Sequence, residues 1–383
     1  QVKEKQIGDY SFLLNDKIGS GSFGKVYKGK NTNTQQKVAI KVLDKNEICM
    51  SEYLLQGLIM EIKILRKLKS EYIVQLTDVL ETPNNFYLIQ ELCEGDLRKI
   101  LKQKKLLPEQ QAIKIIQQVL KGFMELQING IIHRDLKPEN ILISNDIYKL
   151  ADFGLSKTVD NFQRQLMISQ VGTPLYMSPQ ILMKEKYTSK CDLWSLGFIF
   201  YEIIYGRTPF TGKSQYLLIQ DFQNNKVVFD QGIQCSDKCQ DFILNCLKIQ
   251  ESQRFEWINA YKHDLFKLEF QNEIIQFNEM ENKSNMIINE LRQFIYKNKI
   301  DIEYVFKQMD TSKDAIIDIN EFSKLIQQFD ESITRLEIEY IFNKYDIDQN
   351  NFITFTEFSK CILENQKTNK QIVQKTFYRY NFN

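Results

Sequence analysis

Residues Ile132 to Asn140 read Ile-His-Arg-Asp-Leu-Lys-Pro-Glu-Asn, and Asp152-Phe153-Gly154 begins twelve residues past Asn140. These types suit phosphoryl transfer. That reaction asks little covalent chemistry of a protein; it needs a hydroxyl oriented, magnesium held against phosphate oxygens and developing charge neutralised. A carboxylate (Asp135), a cation two residues on (Lys137), an amide oxygen (Asn140) and a second carboxylate (Asp152) supply those needs. A single aspartate in a loop is more often a cap or turn residue than a base, but that reading does not account for four such groups at these spacings.

The elements that must position them lie on both sides. Ile18-Gly19-Ser20-Gly21-Ser22-Phe23-Gly24-Lys25-Val26 joins two segments of strand-like alternation, Tyr10 to Lys17 and Val26 to Lys30. Its three glycines let backbone approach phosphate oxygens, with Phe23 at the tip to shield a γ-phosphate from water. A dinucleotide-binding turn would need a helix next; a β-branched strand follows, so that reading fails. Val38-Ala39-Ile40-Lys41 is a short apolar strand whose terminal cation requires an anion if buried. Glu61 is the predicted partner, on a helical stretch from Leu54 to Lys69 whose Leu58, Ile62, Leu65 and Leu68 share a core-facing stripe. Strands are predicted at 73–80 and 85–91. A helix opened by Pro108 runs through Gln127, ending just before the catalytic stretch.

His-Arg-Asp-x-Lys-x-x-Asn followed by Asp-Phe-Gly at this distance resembles the eukaryotic protein kinases. The resemblance implies an α+β bilobal kinase domain, with a β-rich N-lobe over 10–91, a hinge at 92–96 and an α-rich C-lobe over 97–266. It implies ATP and Mg2+ as cofactors and protein substrates, with Asp135 as the base, Lys137 neutralising the phosphoryl group, and Asn140 and Asp152 as magnesium ligands. Lys137 with Thr173, in Gly172-Thr173-Pro174, points to Ser/Thr specificity. ATP would be held by Ile18, Gly19, Gly21, Gly24, Val26, Ala39, Lys41, Glu61, Gln90, Glu91, Cys93, Leu142 and Asp152. Among these Gln90 is the gatekeeper, and the backbone at Glu91 and Cys93 meets the adenine edge. Leu65, Leu76, His133 and Phe153 would stack across the lobes, with Asp192 anchoring the catalytic loop. Ser169 matches a phosphorylated position of the activation segment, with Arg134 to receive the phosphate. Glu139 and Asp96 map to positions that recognise a basic residue N-terminal to the acceptor. Gln180 stands where the family has a glutamate paired with an arginine, here Arg254, so a glutamate there is expected to raise the melting temperature.

Past His263 the pattern stops. Residues 267–299 form a helical junction with the stripe Ile287, Ile288, Leu291, Phe294 and Ile295, which needs a partner. An internal repeat spaced 36 residues apart follows: Asp310 to Glu321 and Asp346 to Glu357. Both segments look like EF-hand calcium loops within an all-α pair spanning 300–366, before a tail at 367–383. The Ca2+ ligands would be Asp310, Ser312, Asp314, Ile316, Asp318 and Glu321 in the first, and Asp346, Asp348, Asn350, Phe352, Thr354 and Glu357 in the second. Ile317 and Ile353, at position 8, can pair in a small sheet. Position 6 usually holds glycine; Ala315 and Asn351 stand there, and a left-handed alanine costs roughly 1 to 2 kcal/mol, an expected tenfold in affinity. A kinase followed by EF-hands resembles the calcium-dependent protein kinases, although those usually carry four EF-hands, and Gly-Thr-Pro-Leu-Tyr-Met also resembles autophagy-type kinases. The resulting expectation is that calcium opens the lobe and draws the 284–299 helix into a groove from a resting place on the kinase domain. The rival reading is a pseudokinase scaffold; every position needed for chemistry is filled, which disfavours it.

Composition sets the bounds. At 383 residues, 43% hydrophobic and 26% charged, the chain is globular with two or three domains, residues 1–9 being a polar lead. Fifty basic residues nearly balance 49 acidic ones, so no global field draws it to nucleic acid or an anionic membrane. Seven scattered cysteines without a Cys-x-x-Cys pair indicate neither a disulfide framework nor a zinc site. No apolar run is long enough to span a bilayer, and a soluble, cytoplasmic protein is expected. The chain starts at Gln1 without a methionine, as a fragment or processed product would.

Overall fold

A computed structural model of the chain describes residues 3–21, 24–156, 174–185, 187–266, 270–346 and 352–363. The chain divides into two compact units, one drawn from residues up to Gln271 and the other mainly from Asn272 onward.

In the first unit β1 (Glu4–Ile7), β2 (Tyr10–Gly21), β3 (Gly24–Asn31), β4 (Lys37–Asp44), β5 (Leu76–Glu81) and β6 (Asn85–Glu91) make one antiparallel sheet in the order β1-β2-β3-β4-β6-β5. The polar lead thus contributes a strand, β1, which lacks the apolar alternation that would have revealed it. Register matters more than strand count for the site. It sets Lys41 across from Val26 on one side and Leu88 on the other, and Ala39 across from Gln90. Gly29 is demanded by this packing, since a Cβ there would come within 2.5 Å of the Ile40 side chain and 2.7 Å of the Ser11 carbonyl. Two helices follow β4: α1 (Lys45–Cys49) and α2 (Glu52–Lys67), the latter capped by Ser51, whose hydroxyl accepts from the Leu54 N–H at 3.4 Å.

A small sheet of β7 (Gly95–Asp96), β8 (Ile141–Ser144) and β9 (Ile147–Leu150) carries the catalytic stretch. The helices of this part are α3 (Leu97–Lys104), α4 (Glu109–Ile128), α5 (Pro179–Met183), α6 (Lys190–Tyr205), α7 (Gln215–Asn224), α8 (Asp237–Cys246) and α9 (Trp257–Lys262). Every residue of α6 from Cys191 to Tyr205 is buried, so it shows no amphipathic stripe and acts as the core post. Trp194 stacks on Phe210 and meets Phe222 edge-on beside it.

The second unit holds α10 (Gln271–Lys297), α11 (Ile302–Met309), β10 (Ile316–Asp318), α12 (Ile319–Ile326), α13 (Arg335–Tyr345), β11 (Phe352–Thr354) and α14 (Phe355–Leu363). Strands β10 and β11 pair antiparallel with Ile317 opposite Ile353, both fully buried. The α10 stripe has its partner here: Ile287, Ile288, Leu291 and Ile295 join one apolar core with Phe306, Phe322, Phe342 and Phe358. Phe294, expected in that stripe, is 50% exposed, one helical position off the buried face. Ion pairs flank the seat, with Lys283 3.1 Å from Asp330 and 3.0 Å from Glu337, and Lys344 2.7 Å from Glu281. Among the described residues no helix is long and apolar enough to cross a membrane.

Candidate active site

The strand expected to stop at Lys41 continues to Asp44, so the cation sits in the middle of β4, and it has its anions. Lys41 Nζ lies 2.7 and 2.9 Å from the two carboxylate oxygens of Glu61 on α2, and 3.4 Å from Asp152 Oδ1. Lys41 and Glu61 are 8% and 3% exposed. Burial alone would drive the lysine toward its neutral form; Glu61 and Asp152 outweigh it and raise its pKa, so the ammonium persists. Helix α2 is therefore positioned with its glutamate inward. Gly57, one turn earlier on α2, approaches Gly154: a Cβ there would lie 2.9 Å from the Gly154 carbonyl.

The catalytic stretch is held from below. Asp192, buried on α6, accepts the His133 N–H at 2.8 Å on one oxygen and the Arg134 N–H at 2.8 Å on the other. Those two bonds hold Arg134 at φ 64°, and Asp152 sits at φ 64° as well. Left-handed non-glycine residues each cost about 1–3 kcal/mol and persist only where surroundings over-determine them. His133 is fully buried, and burial lowers its pKa, leaving the ring neutral. Its Nε2 donates to the Ala151 carbonyl at 3.1 Å and its Nδ1 accepts from the Asp135 N–H at 3.4 Å, and its ring lies 5.1 Å from that of Phe153. Leu65 is buried, while Leu76 is half-buried against the cluster of Leu43, Ile48, Leu58 and Leu88.

Around Asp135 the charges converge. Lys137 Nζ is 2.6 Å from Asp135 Oδ2, and Asn140 Nδ2 donates to Asp135 Oδ2 at 3.0 Å and to its carbonyl at 2.8 Å. Burial pushes the Asp135 carboxyl above the ordinary aspartate value, with Lys137 opposing, which suits a group that accepts a proton. Asp152 is held lower: burial is outweighed by Lys41 and then Lys137. The donor set fits magnesium, since the Asp152 carboxylate is ionised and the Asn140 amide nitrogen is occupied, leaving its Oδ1 as the hard oxygen for a cation.

On the nucleotide side Ile18 is 44% exposed, Gly19 faces Val26 across β2 and β3, Val26, Gln90 and Leu142 are half-buried, and Ala39 is buried. Sequence reading missed a clamp on the 92–96 connection: the Glu91 carboxylate accepts from Lys149 at 2.9 Å and from the Gln75 N–H at 2.8 Å. Lys149 is a buried lysine on β9, and a lysine in an otherwise apolar strand is the signal that pointed to it. Cys93 has its thiol pushed up to about 12 by burial and then by Glu91. Phe23, Ser169 and Thr173 lie outside the described residues.

The protein kinase domain family matches residues 12–266, and the EF-hand domain pair family matches residues 299–363. The chain belongs to the protein kinase family. It is 39% identical over 273 residues to the serine/threonine-protein kinase atg1 of Dictyostelium discoideum, covering 69% of this chain and 40% of that protein. It is 37% identical over 254 residues to ATG1c of Arabidopsis thaliana, covering 65% and 33%. For human ULK3 the figures are 33% over 264 residues, 67% and 55%. The chain thus spans at most about half the length of these relatives.

Other residues of the kinase domain carry partners that the sequence could not display. Arg98 joins Glu139 at 2.8 Å and Glu202 at 2.7 Å and also meets the Tyr176 hydroxyl, while Asp96 caps α3 through the Lys99 N–H at 2.9 Å. Both expected substrate-recognising carboxylates are therefore engaged inside the chain. The Arg134 guanidinium meets the Leu155 carbonyl and Tyr187. Arg254, 2% exposed, meets an amide at Gln180 in place of a carboxylate; it donates to the Gln180 amide oxygen at 2.9 Å and to the carbonyls of Lys190 and Lys248, with its guanidinium over the Trp194 ring.

In the EF-hand pair, both oxygens of Glu321 are occupied by its own loop. Oε1 accepts from the N–H groups of Thr311 and Ser312 at 2.9 Å, and Oε2 from Asp318 N–H at 3.1 Å. Burial would raise its pKa, but these bonds hold it below the ordinary value. Asp310 accepts from the N–H of Ala315 at 2.9 Å and Asp314 at 3.2 Å, and Ala315 does take the left-handed turn, at φ 66°. In the second loop Glu357 accepts from Thr354 N–H at 2.9 Å, and Asp346 is buried. Asp348 and Asn350 lie outside the described residues.

Proposed function

We propose that the chain is a Ser/Thr protein kinase that transfers the γ-phosphoryl group of ATP to protein hydroxyls and is regulated by Ca2+ through its EF-hand pair. The observation that supports it best is the linked charge array in which Lys41 meets Glu61 at 2.7 Å and Asp152 at 3.4 Å, while Lys137 meets Asp135 at 2.6 Å. Asp135 orients and deprotonates the acceptor hydroxyl, and Lys137 neutralises charge on the transferring group. Lys41, fixed by Glu61, holds phosphate oxygens. Asp152 and Asn140 are the residues that would hold Mg2+, whose chemistry when bound is to neutralise the β- and γ-phosphate oxygens. The pseudokinase reading lacks a comparable observation, because no member of the array is replaced.

Asp135→Asn should lower kcat by about 10²- to 10⁴-fold with little change in the KM for ATP; a variant as active as the parent on a Ser/Thr peptide would overturn the catalytic assignment. The seat of α10 in the EF-hand core supports a refined regulatory route: calcium changes a helix already packed on the pair, rather than recruiting one from elsewhere. Equal kinase rates in calcium and in chelator would sink the regulatory half and leave the catalytic half standing.

A further inference from the structure

The seven cysteines read as scattered, yet folding gathers two of them with a carboxylate far along the chain. Glu109 opens α4, Cys235 precedes Ser236, the N-cap of α8, and Cys239 lies in the first turn of that helix. One carboxylate oxygen of Glu109 and the two Sγ atoms all lie within 4.8 Å of one another. Cys239 Sγ is 3.3 Å from Glu109 Oε1. Cys239 is fully buried and Cys235 half-buried, so the group opens toward solvent on one side.

The carboxylate is held in place. Ser236 donates its hydroxyl to Glu109 Oε1 at 2.6 Å and its N–H to Oε2 at 2.8 Å, while its oxygen accepts the Cys239 N–H at 3.3 Å. Bonds of this kind orient the ligands of metal sites. A separate observation points into the same space. Tyr205, the last residue of α6, is 4% exposed, and its buried hydroxyl has no hydrogen-bond partner among the described residues. Its side chain packs beside that of Cys235. Two thiols and one carboxylate thus converge.

We propose that Glu109, Cys235 and Cys239 form a binding site for a soft divalent cation of the zinc class, beside the Tyr205 side chain. Two sulfurs and one carboxylate oxygen select such an ion over magnesium or calcium, which take oxygen ligands, and three protein ligands with a fourth position free match its four-coordinate habit. Binding exchanges the two thiol protons, released to solvent, for two metal–thiolate bonds, with no change of oxidation state. The ion would tie the starts of α4 and α8 to the end of α6.

Cobalt serves as the probe, added to the reduced full chain in saturating magnesium and calcium so that oxygen-ligand sites are filled. The expected result is one equivalent bound, with the thiolate-to-cobalt charge-transfer band and the visible bands of four-coordinate cobalt, both abolished by zinc. Cys235→Ser, at a half-exposed position that the fold tolerates, should weaken cobalt by more than ~100-fold, since even groups that only orient ligands are worth about 10- to 100-fold; Glu109→Gln should weaken it with the charge-transfer band retained. Absence of cobalt uptake by the reduced chain overturns the proposal, as does an identical spectrum in Cys235→Ser. A Cys235–Cys239 disulfide forming in a chain that binds no cobalt when reduced would also overturn it, and would assign the pair to thiol oxidation instead.

Discussion

Gln180 shows how one side chain can answer two demands. Its oxygen accepts from Arg254 at 2.9 Å and its nitrogen donates to the Ile249 carbonyl at 2.7 Å. A glutamate would improve the first contact by adding charge, but would set a carboxylate oxygen against the Ile249 carbonyl. Charge-assisted bonds gain about 1–2 kcal/mol over neutral ones, and a buried acceptor left without its donor costs about 1–3 kcal/mol. The sequence-based expectation of a clear gain therefore gives way to near cancellation. Gln180→Glu should melt within a few degrees of the parent, whereas Gln180→Leu, which strips the buried cation of that acceptor, should lose about 2–3 kcal/mol in a denaturant titration. A Leu variant as stable as the parent would show that the backbone carbonyls alone satisfy Arg254.

At the scale of elements, the first EF-hand loop relocates a cost. Sequence reading charged the left-handed alanine against calcium affinity. The loop itself already holds Ala315 at φ 66°, with its N–H bonded to Asp310 Oδ2 at 2.9 Å, so the strain belongs to the folded loop. Relief of about 1–2 kcal/mol is partly offset by the greater chain entropy of an unfolded glycine, about 0.4–1 kcal/mol. Ala315→Gly should raise the melting temperature of the EF-hand transition by a few degrees and change calcium affinity by less than about threefold. A tenfold gain in affinity by calorimetry, with an unchanged melt, would restore the earlier reading. Helix α10 makes the parallel point: its stripe was legible as needing a partner, but the pairing of Lys283 with Asp330 and Glu337 that fixes which partner spans distances in sequence that periodicity cannot cover.

For the whole molecule, coupling between calcium and catalysis is a free energy and must be reciprocal. If calcium alters ATP affinity by some factor, ATP with magnesium must alter calcium affinity by that same factor, expected at about 5- to 150-fold for ordinary allosteric coupling. Isothermal titration of each ligand with and without the other tests this. Two independent affinities would leave a kinase and an EF-hand pair that share a chain without sharing regulation.

What the sequence determined by itself was the chemistry-bearing inventory: Lys41, Glu61, Asp135, Lys137, Asn140 and Asp152, the repeat of two loops, and Ile317 with Ile353. These were legible because catalysis and ion binding fix residue types at short, countable spacings. Tertiary structure alone decided the rest. It gave Glu139 to Arg98, clamped Glu91 with Lys149, seated α10 on the EF-hand core, added a strand from a polar lead, and brought Glu109 to Cys235 and Cys239. Apart from that strand, which pairs with the neighbouring β2, the partners are remote in the chain, and nothing in local composition distinguishes a carboxylate awaiting solvent from one already paired. The Ile132 to Asn140 stretch belongs to both classes: its residue types are set by the reaction, while the carboxylate of Asp192, 58 residues beyond Arg134, holds the backbone that aims them.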